Sequence, residues 1–178
     1  MLNYLTKSEL SSFDLGASEV LFEQARASRF AASSSRVTVF LSHSHKDASL
    51  VKNAVAFLKS FDVEIYVDWL DDEMPTTTSP ETAKKLKQKI SEHLKFILLA
   101  TENSKESKWV PWELGFADTK KGMKNIAILP IAESSTSYKG TEFVGIYPLI
   151  RKSFSDGEWI VRCDDPSIFT PLSKWLTA

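Results

Sequence analysis

The residues best suited to chemistry sit together in Ser107-Lys108-Trp109-Val110-Pro111-Trp112-Glu113-Leu114-Gly115-Phe116-Ala117-Asp118. Two indoles and a single carboxylate, Glu113, stand near the start of a helical pattern. Trp109 and Glu113 are four residues apart, so a helix places them on one face, one turn from each other. A flat apolar ring beside an acid can hold a heterocycle and steady a developing positive charge. The same residues also suit plain packing, with the tryptophans as core and Glu113 answering the positive N-terminal end of the helix dipole. The stretch alone leaves both readings open. Lys120, Lys121 and Gly122 supply the stop, since cations suit a helix C-terminus and glycine tolerates the left-handed cap.

A second cluster, Ser42-His43-Ser44-His45-Lys46-Asp47, has a His-x-His-x-Asp spacing that superficially suggests a metallohydrolase. Such a site needs further His or Cys ligands, and only His93 and Cys163 remain in the chain. No metal is expected, and His43 and His45 read as solvated or substrate-facing loop residues. Neither common glycine-rich phosphate cradle follows a strand, and no Gly-x-Ser-x-Gly elbow is present. Conventional dehydrogenase, nucleoside triphosphatase and serine hydrolase chemistries are thereby excluded.

The 178 residues suit one domain with a substantial core. A net charge of −1 with mixed signs carries no nucleic-acid or polyanion footprint. One cysteine, Cys163, allows no intramolecular disulfide and fits a reducing compartment. No secretory signal opens the chain, and no apolar run approaches the roughly 20 residues of a membrane span. The expectation is a soluble, cytoplasmic protein without membrane or nucleic-acid partners.

Several elements must position these residues. Residues 1–36 read as an arm or extra helix, with Ser-rich pieces around a helix from about Ser18 to Phe30 and no strand of their own. Residues 37–178 read as an α/β domain. Val37–Leu41 suits a buried strand, followed by a helix with Leu50, Val51, Ala54, Val55, Leu58 and Phe61 on one face. Val63–Trp69 is a second strand, and Leu70–Thr78 a turn-rich loop. Ser79 then caps a helix with Pro80 at its first position, and Ala83, Leu86, Ile90 and Leu94 form its stripe. Phe96–Ala100 and Asn125–Ile131 are further strands, Glu158–Cys163 a fifth, and Pro166–Leu176 a closing helix capped by Asp165. Strands alternating with helices predict an open parallel sheet of about five strands with helices on both faces. Ligands bind beyond the carboxyl ends of such strands, so Ser42–Asp47, Trp69–Thr78 and Thr101–Trp109 should surround one crevice.

Taken in order, these pieces resemble a known family. Val39-Phe40-Leu41-Ser42-His43-Ser44 with Asp47 resembles the first box of Toll/interleukin-1 receptor (TIR) domains, a strand ending in Phe-x-Ser. Ile65-Tyr66-Val67-Asp68 resembles their second strand, and Ser107–Leu114 their Ser-x-Trp-x-x-x-Glu-Leu signature. The likeness runs well from Val37 to Ile131 and loosely beyond, and it implies a flavodoxin-like TIR fold. It departs in the Leu70–Thr78 loop, where many TIR domains carry an early glycine and this chain has none, so assembly contacts of that loop do not carry over. A further segment also precedes the first strand.

The resemblance implies one of two roles: non-catalytic scaffolds built by TIR–TIR association, or cleavage of the nicotinamide–ribose bond of NAD. In the enzymatic members the glutamate of the signature is catalytic, which maps onto Glu113. Losing nicotinamide leaves an oxocarbenium-like ribose that a fixed carboxylate can stabilise. The leaving group departs neutral, so no general acid is required. Ser42, His43, Asp68, Trp69 and Trp109 would line the crevice, Trp109 as an aromatic wall or a buttress and Asp68 with a structural part in bonding loop amides. NAD would be substrate rather than cofactor, and ADP-ribose or a cyclic isomer the product, according to whether water or an adenine nitrogen captures the ribose. Nucleoside deoxyribosyl transfer, on similar sheets, is a third reading that the first box argues against. A chain of this kind resembles the stand-alone microbial members, many of which deplete NAD or make a nucleotide signal against phage, while others act on host signalling; the sequence leaves both roles open. Self-association, and a downstream effector protein sensing the product, are the implied partners.

Overall fold

Alternation along the strands sorts the apolar residues into two layers. In a computed structural model that describes residues 2–13, 36–71, 74–75, 77–138, 140, 144–162 and 168–178, the elements follow in this order. They are β1 (Leu2–Asn3), β2 (Leu5–Thr6), α1 (Lys7–Ser11), β3 (Thr38–Ser42), α2 (Ala48–Lys59), β4 (Glu64–Tyr66), α3 (Pro80–Glu92), β5 (Lys95–Ala100), α4 (Glu102–Glu106), α5 (Trp109–Lys121), β6 (Ile126–Ala132), β7 (Leu149–Ser153), β8 (Trp159–Arg162), β9 (Phe169–Pro171) and α6 (Leu172–Thr177). Val39 and Leu41, Ile97 and Leu99, and Ala127 and Leu129 face a core shared with α1, α2 and α6. Phe40, Phe96 and Leu98, and Ile126 and Ile128 face the opposite core, covered by α3 and α5. A period of two places both sets, and burial on both faces explains the near-continuous apolar strands.

The sheet runs β4-β3-β5-β6-β7-β8-β9. The first five are parallel, with Phe40 level with Phe96 and Phe96 with Ile126. From β3 the chain steps outward to β4 and returns to β5 on the other side, so β3 marks the switch of direction where ligands bind in such sheets. The flavodoxin-like parallel sheet with helices on both faces is the observed architecture.

The far edge differs from the sequence expectation. The fifth parallel strand is β7, hidden in sequence because Arg151 and Lys152 interrupt its apolar pattern. The strand expected over Glu158–Cys163 exists as β8 but runs antiparallel to β7, and Cys163 lies outside the described residues. The closing helix begins at Leu172 rather than Pro166, because Phe169–Pro171 pairs with β8 as β9; Asp165 and Pro166 lie outside the described residues. The N-terminal segment, expected to lack strands, carries two. Leu2–Asn3 pairs antiparallel with β7 and Leu5–Thr6 parallel with β6. A capping box follows, in which Thr6 Oγ1 accepts from Glu9 N–H and Glu9 accepts from Thr6 N–H. The helix expected over Ser18–Phe30 lies outside the described residues.

The expected Ser79 cap is present, and Gly122 ends its helix at positive φ with an extended ψ of 159° rather than in the left-handed helical conformation. Ser79 accepts a bond from Thr82 N–H at 3.1 Å with Pro80 at the first helical position. Gly122, at φ 67°, ends α5 after Lys120 and Lys121. Among the described residues no helix is long and apolar enough to cross a membrane.

Candidate active site

The buried positions of α5 are Val110, Glu113, Leu114 and Ala117, the spacing of a helix stripe facing a core. Three are apolar and one is a carboxylate. Glu113 therefore occupies a packing position and is only 5% exposed. Its partner comes from β3. Ser42 follows Phe40 by two residues, so alternation turns it to the α5 side of the sheet, and its hydroxyl donates to Glu113 Oε2 at 2.5 Å. Burial pushes the Glu113 carboxyl up to about 8, the nearby Asp68 charge adds to the rise, and the Ser42 hydroxyl opposes it.

A crevice of about 490 Å³ opens over this carboxylate at the carboxyl end of the sheet. Glu113 and Trp109 line it from α5, and Thr82 and Leu86 from α3. Asp68, Trp69 and Asp71, together with Met74 and Pro75, close it from the segment after β4. From the loop after β3 the contributor is His45. Glu113, Trp109, Asp68 and Trp69 thus come together as the sequence suggested. Ser42 and His43, expected to line the crevice, lie behind it and are buried: Ser42 is engaged by Glu113 and His43 by the backbone and Trp69.

Asp68 is the hub of the second wall. It sits in a 3-10 turn, Asp68–Leu70, and its Oδ1 accepts from Trp69 N–H at 2.9 Å. Around it stand two imidazoles, with His43 Nε2 at 3.4 Å from Oδ1 and His45 Nε2 at 3.6 Å from Oδ2. His43 Nδ1 meets the Leu41 carbonyl at 2.9 Å, while its Nε2 makes no hydrogen bond among the described residues. Burial pushes the His43 pKa down, partly offset by Asp68. Trp69 packs edge-on against His43 with ring centroids 4.7 Å apart. Asp71 is tied elsewhere, to the Tyr66 hydroxyl at 2.8 Å and Lys89 at 3.2 Å.

Trp109 is half-buried, its ring perpendicular to Trp112 at 5.2 Å, so it is both crevice wall and packing member. Asp47, the acid of the His-x-His-x-Asp spacing, accepts from the Thr101 hydroxyl at 2.5 Å and the Asn103 amide at 2.6 Å. It pins the loop after β3 to the loop after β5. Thr82 and Leu86 lie outside the segments expected at the crevice, while His45, read from sequence as a solvated or substrate-facing histidine, and Asp71, within the expected Trp69–Thr78 segment, line it without having been assigned a role. The first turn of α3 was a legible signal for Thr82, because Ser79-Pro80 begins that helix at the ligand edge; nothing local distinguishes His45 from His43.

The pattern of the TIR domain family matches residues 39–153, from β3 through β7. The chain belongs to the TIR domain family. Two bacterial relatives are similar over parts of their length. A Bacillus cereus (strain MSX-D12) protein named "Probable 3' cyclic ADP-D-ribose synthase ThsB'" is 36% identical over 118 residues, covering 64% of this chain and 60% of that protein. A Cytobacillus dafuensis protein named "Putative cyclic ADP-D-ribose synthase TIR2" is 34% identical over 82 residues, covering 44% of this chain and 22% of that one. The alignments thus span three-fifths or less of these relatives. Within the TIR match fall both walls of the crevice and Glu113.

Proposed function

We propose that this TIR protein cleaves the nicotinamide–ribose bond of NAD, with Glu113 as the catalytic carboxylate. The observation that carries the reading is a buried acid, bonded by Ser42, in a core position of α5 at the floor of a crevice beside Trp109. Packing alone favours an aliphatic residue there, because a desolvated carboxylate costs stability. A carboxylate held in a site of low polarity acts strongly on positive charge, which appears on the ribose as nicotinamide leaves. The bond breaks with its electron pair passing to the pyridinium nitrogen. Nicotinamide departs neutral and asks for no proton. The names of both relatives, cyclic ADP-D-ribose synthases, accord with this substrate.

In this reading Trp109 and Trp69 offer ring faces to the heterocycle. Ser42 orients Glu113, and His43 buttresses Asp68. ADP-ribose or a cyclic isomer is the product, and NAD is a substrate, not a resident cofactor. Self-association through TIR–TIR contacts and a downstream protein sensing the nucleotide product are the partners it implies, with defence against phage as the setting. Nicotinamide release from NAD, followed at high protein concentration, tests it. Release is the expected outcome. Silence at every concentration, and again with an extract of infected cells, would leave the non-catalytic scaffold as the better account.

A further inference from the structure

Resting on the NAD-cleavage reading, we infer that His45, at ion-pair distance from Asp68, is the general base that deprotonates the hydroxyl group capturing the ribosyl cation. The first half of the reaction needs no proton transfer, but the second half does when the nucleophile is water or a sugar hydroxyl. As the oxygen lone pair bonds to the ribosyl carbon, the oxygen becomes positive and must lose its proton. That proton needs a basic group at the crevice.

The walls offer four candidates, and three are committed. Glu113 is bonded by Ser42, and its negative charge is what stabilises the cation, so taking the proton would discharge it at the moment it is needed. Asp71 is engaged by Tyr66 and Lys89. Asp68 accepts from Trp69 N–H and stands against two histidines. His45 is different. It borders the crevice with its side chain 67% exposed, and its Nε2 faces Asp68 Oδ2 at 3.6 Å, which leaves Nδ1 to receive a proton. The Asp68 carboxylate then steadies the imidazolium that forms, the orienting part an acid plays behind a catalytic histidine. His43 does not compete, since its Nδ1 is against the Leu41 carbonyl and its side chain is 2% exposed. The proton passes from the hydroxyl to His45 Nδ1 and on to solvent.

A pyridine separates the two halves of the reaction. 3-Acetylpyridine captures the same cation through its nitrogen lone pair and has no proton to lose, so base exchange bypasses the general base. Parent and His45→Gln are each supplied with NAD and 3-acetylpyridine, and the exchanged dinucleotide is measured against ADP-ribose plus any cyclic product joined through a ribose oxygen, with product joined through an adenine nitrogen left out of the ratio. His45→Gln is expected to raise the ratio of exchange to hydroxyl capture by at least about tenfold, the low side of general-base effects. With His45→Gly, added imidazole should lower the ratio again. An unchanged ratio in His45→Gln, whether both products fall together or neither falls, overturns the inference. Failure of the parent to release nicotinamide at all is a separate outcome that overturns the NAD reading and this inference with it.

Discussion

Glu113 occupies a place on α5 that an aliphatic side chain would fill if stability were the only demand. Its carboxyl, pushed to about 8 by burial and by Asp68, keeps its proton in the folded chain to a higher pH than the ordinary value of 4.5 in the unfolded one. The folded state therefore binds more protons between those values. Stability from this group is fully present below 4.5 and is lost as pH rises through 8, by an amount on the order of a few kcal/mol. Glu113→Gln should melt increasingly above the parent as pH climbs through that window, which thermal unfolding at stepped pH will read. Catalysis by the ionised form has the opposite slope: kcat/KM should rise with pH toward a midpoint near 8 in the free protein. Its neighbours move that midpoint in opposite directions. Asp68→Asn removes a charge that raises it, so the limb should shift to lower pH, whereas Ser42→Ala removes a donor that favours the carboxylate, so the limb should shift higher. Shifts of the same sign in both variants would contradict this electrostatic description.

At the scale of elements, α5 and the loop after β3 aim the carboxylate. Val110, Leu114 and Ala117 dock the helix on the sheet, which sets Glu113 over Ser42. Asp47 fixes the loop by accepting from Thr101 and Asn103, and Asp47→Ala would leave both donors unpaired in a buried or half-buried place. A loss of about 2–4 kcal/mol is expected, read as a fall in denaturation midpoint. Gly122→Ala meets no steric obstacle, because a Cβ there has nothing within 4 Å, but it must adopt φ 67°. With ψ at 159° that backbone lies in a region essentially reserved for glycine, so a conformational cost of about 1–3 kcal/mol should appear in the same measurement. Much of this arrangement was legible. Trp109 and Glu113 share a face because their spacing is helical, and Ser79-Pro80 and Gly122 announce helix ends in local chemistry. Other parts were hidden for equally physical reasons. β7 carries Arg151 and Lys152 in its ladder, and β1 and β2 are two residues long, too short for any period to show. Whether Ser42 faces the ligand or the carboxylate depends on how far α5 presses onto β3, a tertiary distance that no local pattern encodes.

For the whole molecule, the crevice lies where the chain reverses direction across β3, so its walls come from segments far apart in sequence yet fixed by one sheet. The two ends of the chain complete that frame. Leu5 and Leu10 are fully buried against the α2 side, and Leu10→Ala should cost about 2–5 kcal/mol, showing in urea unfolding that the N-terminal residues belong to the cooperative unit. At the other end Trp175 donates to the Lys124 carbonyl at 2.8 Å and covers the buried Lys95 ammonium, 4.8 Å from its ring centroid. The central claim is that this frame exists to hold one desolvated carboxylate against a ribosyl cation. The most direct measurement is nicotinamide release from NAD by the parent beside Glu113→Gln, with circular dichroism and sedimentation confirming equal folding and association. The parent should release nicotinamide and the variant should lose at least about a hundredfold, the scale of removing one preorganised electrostatic group. Equal release by both proteins would contradict it.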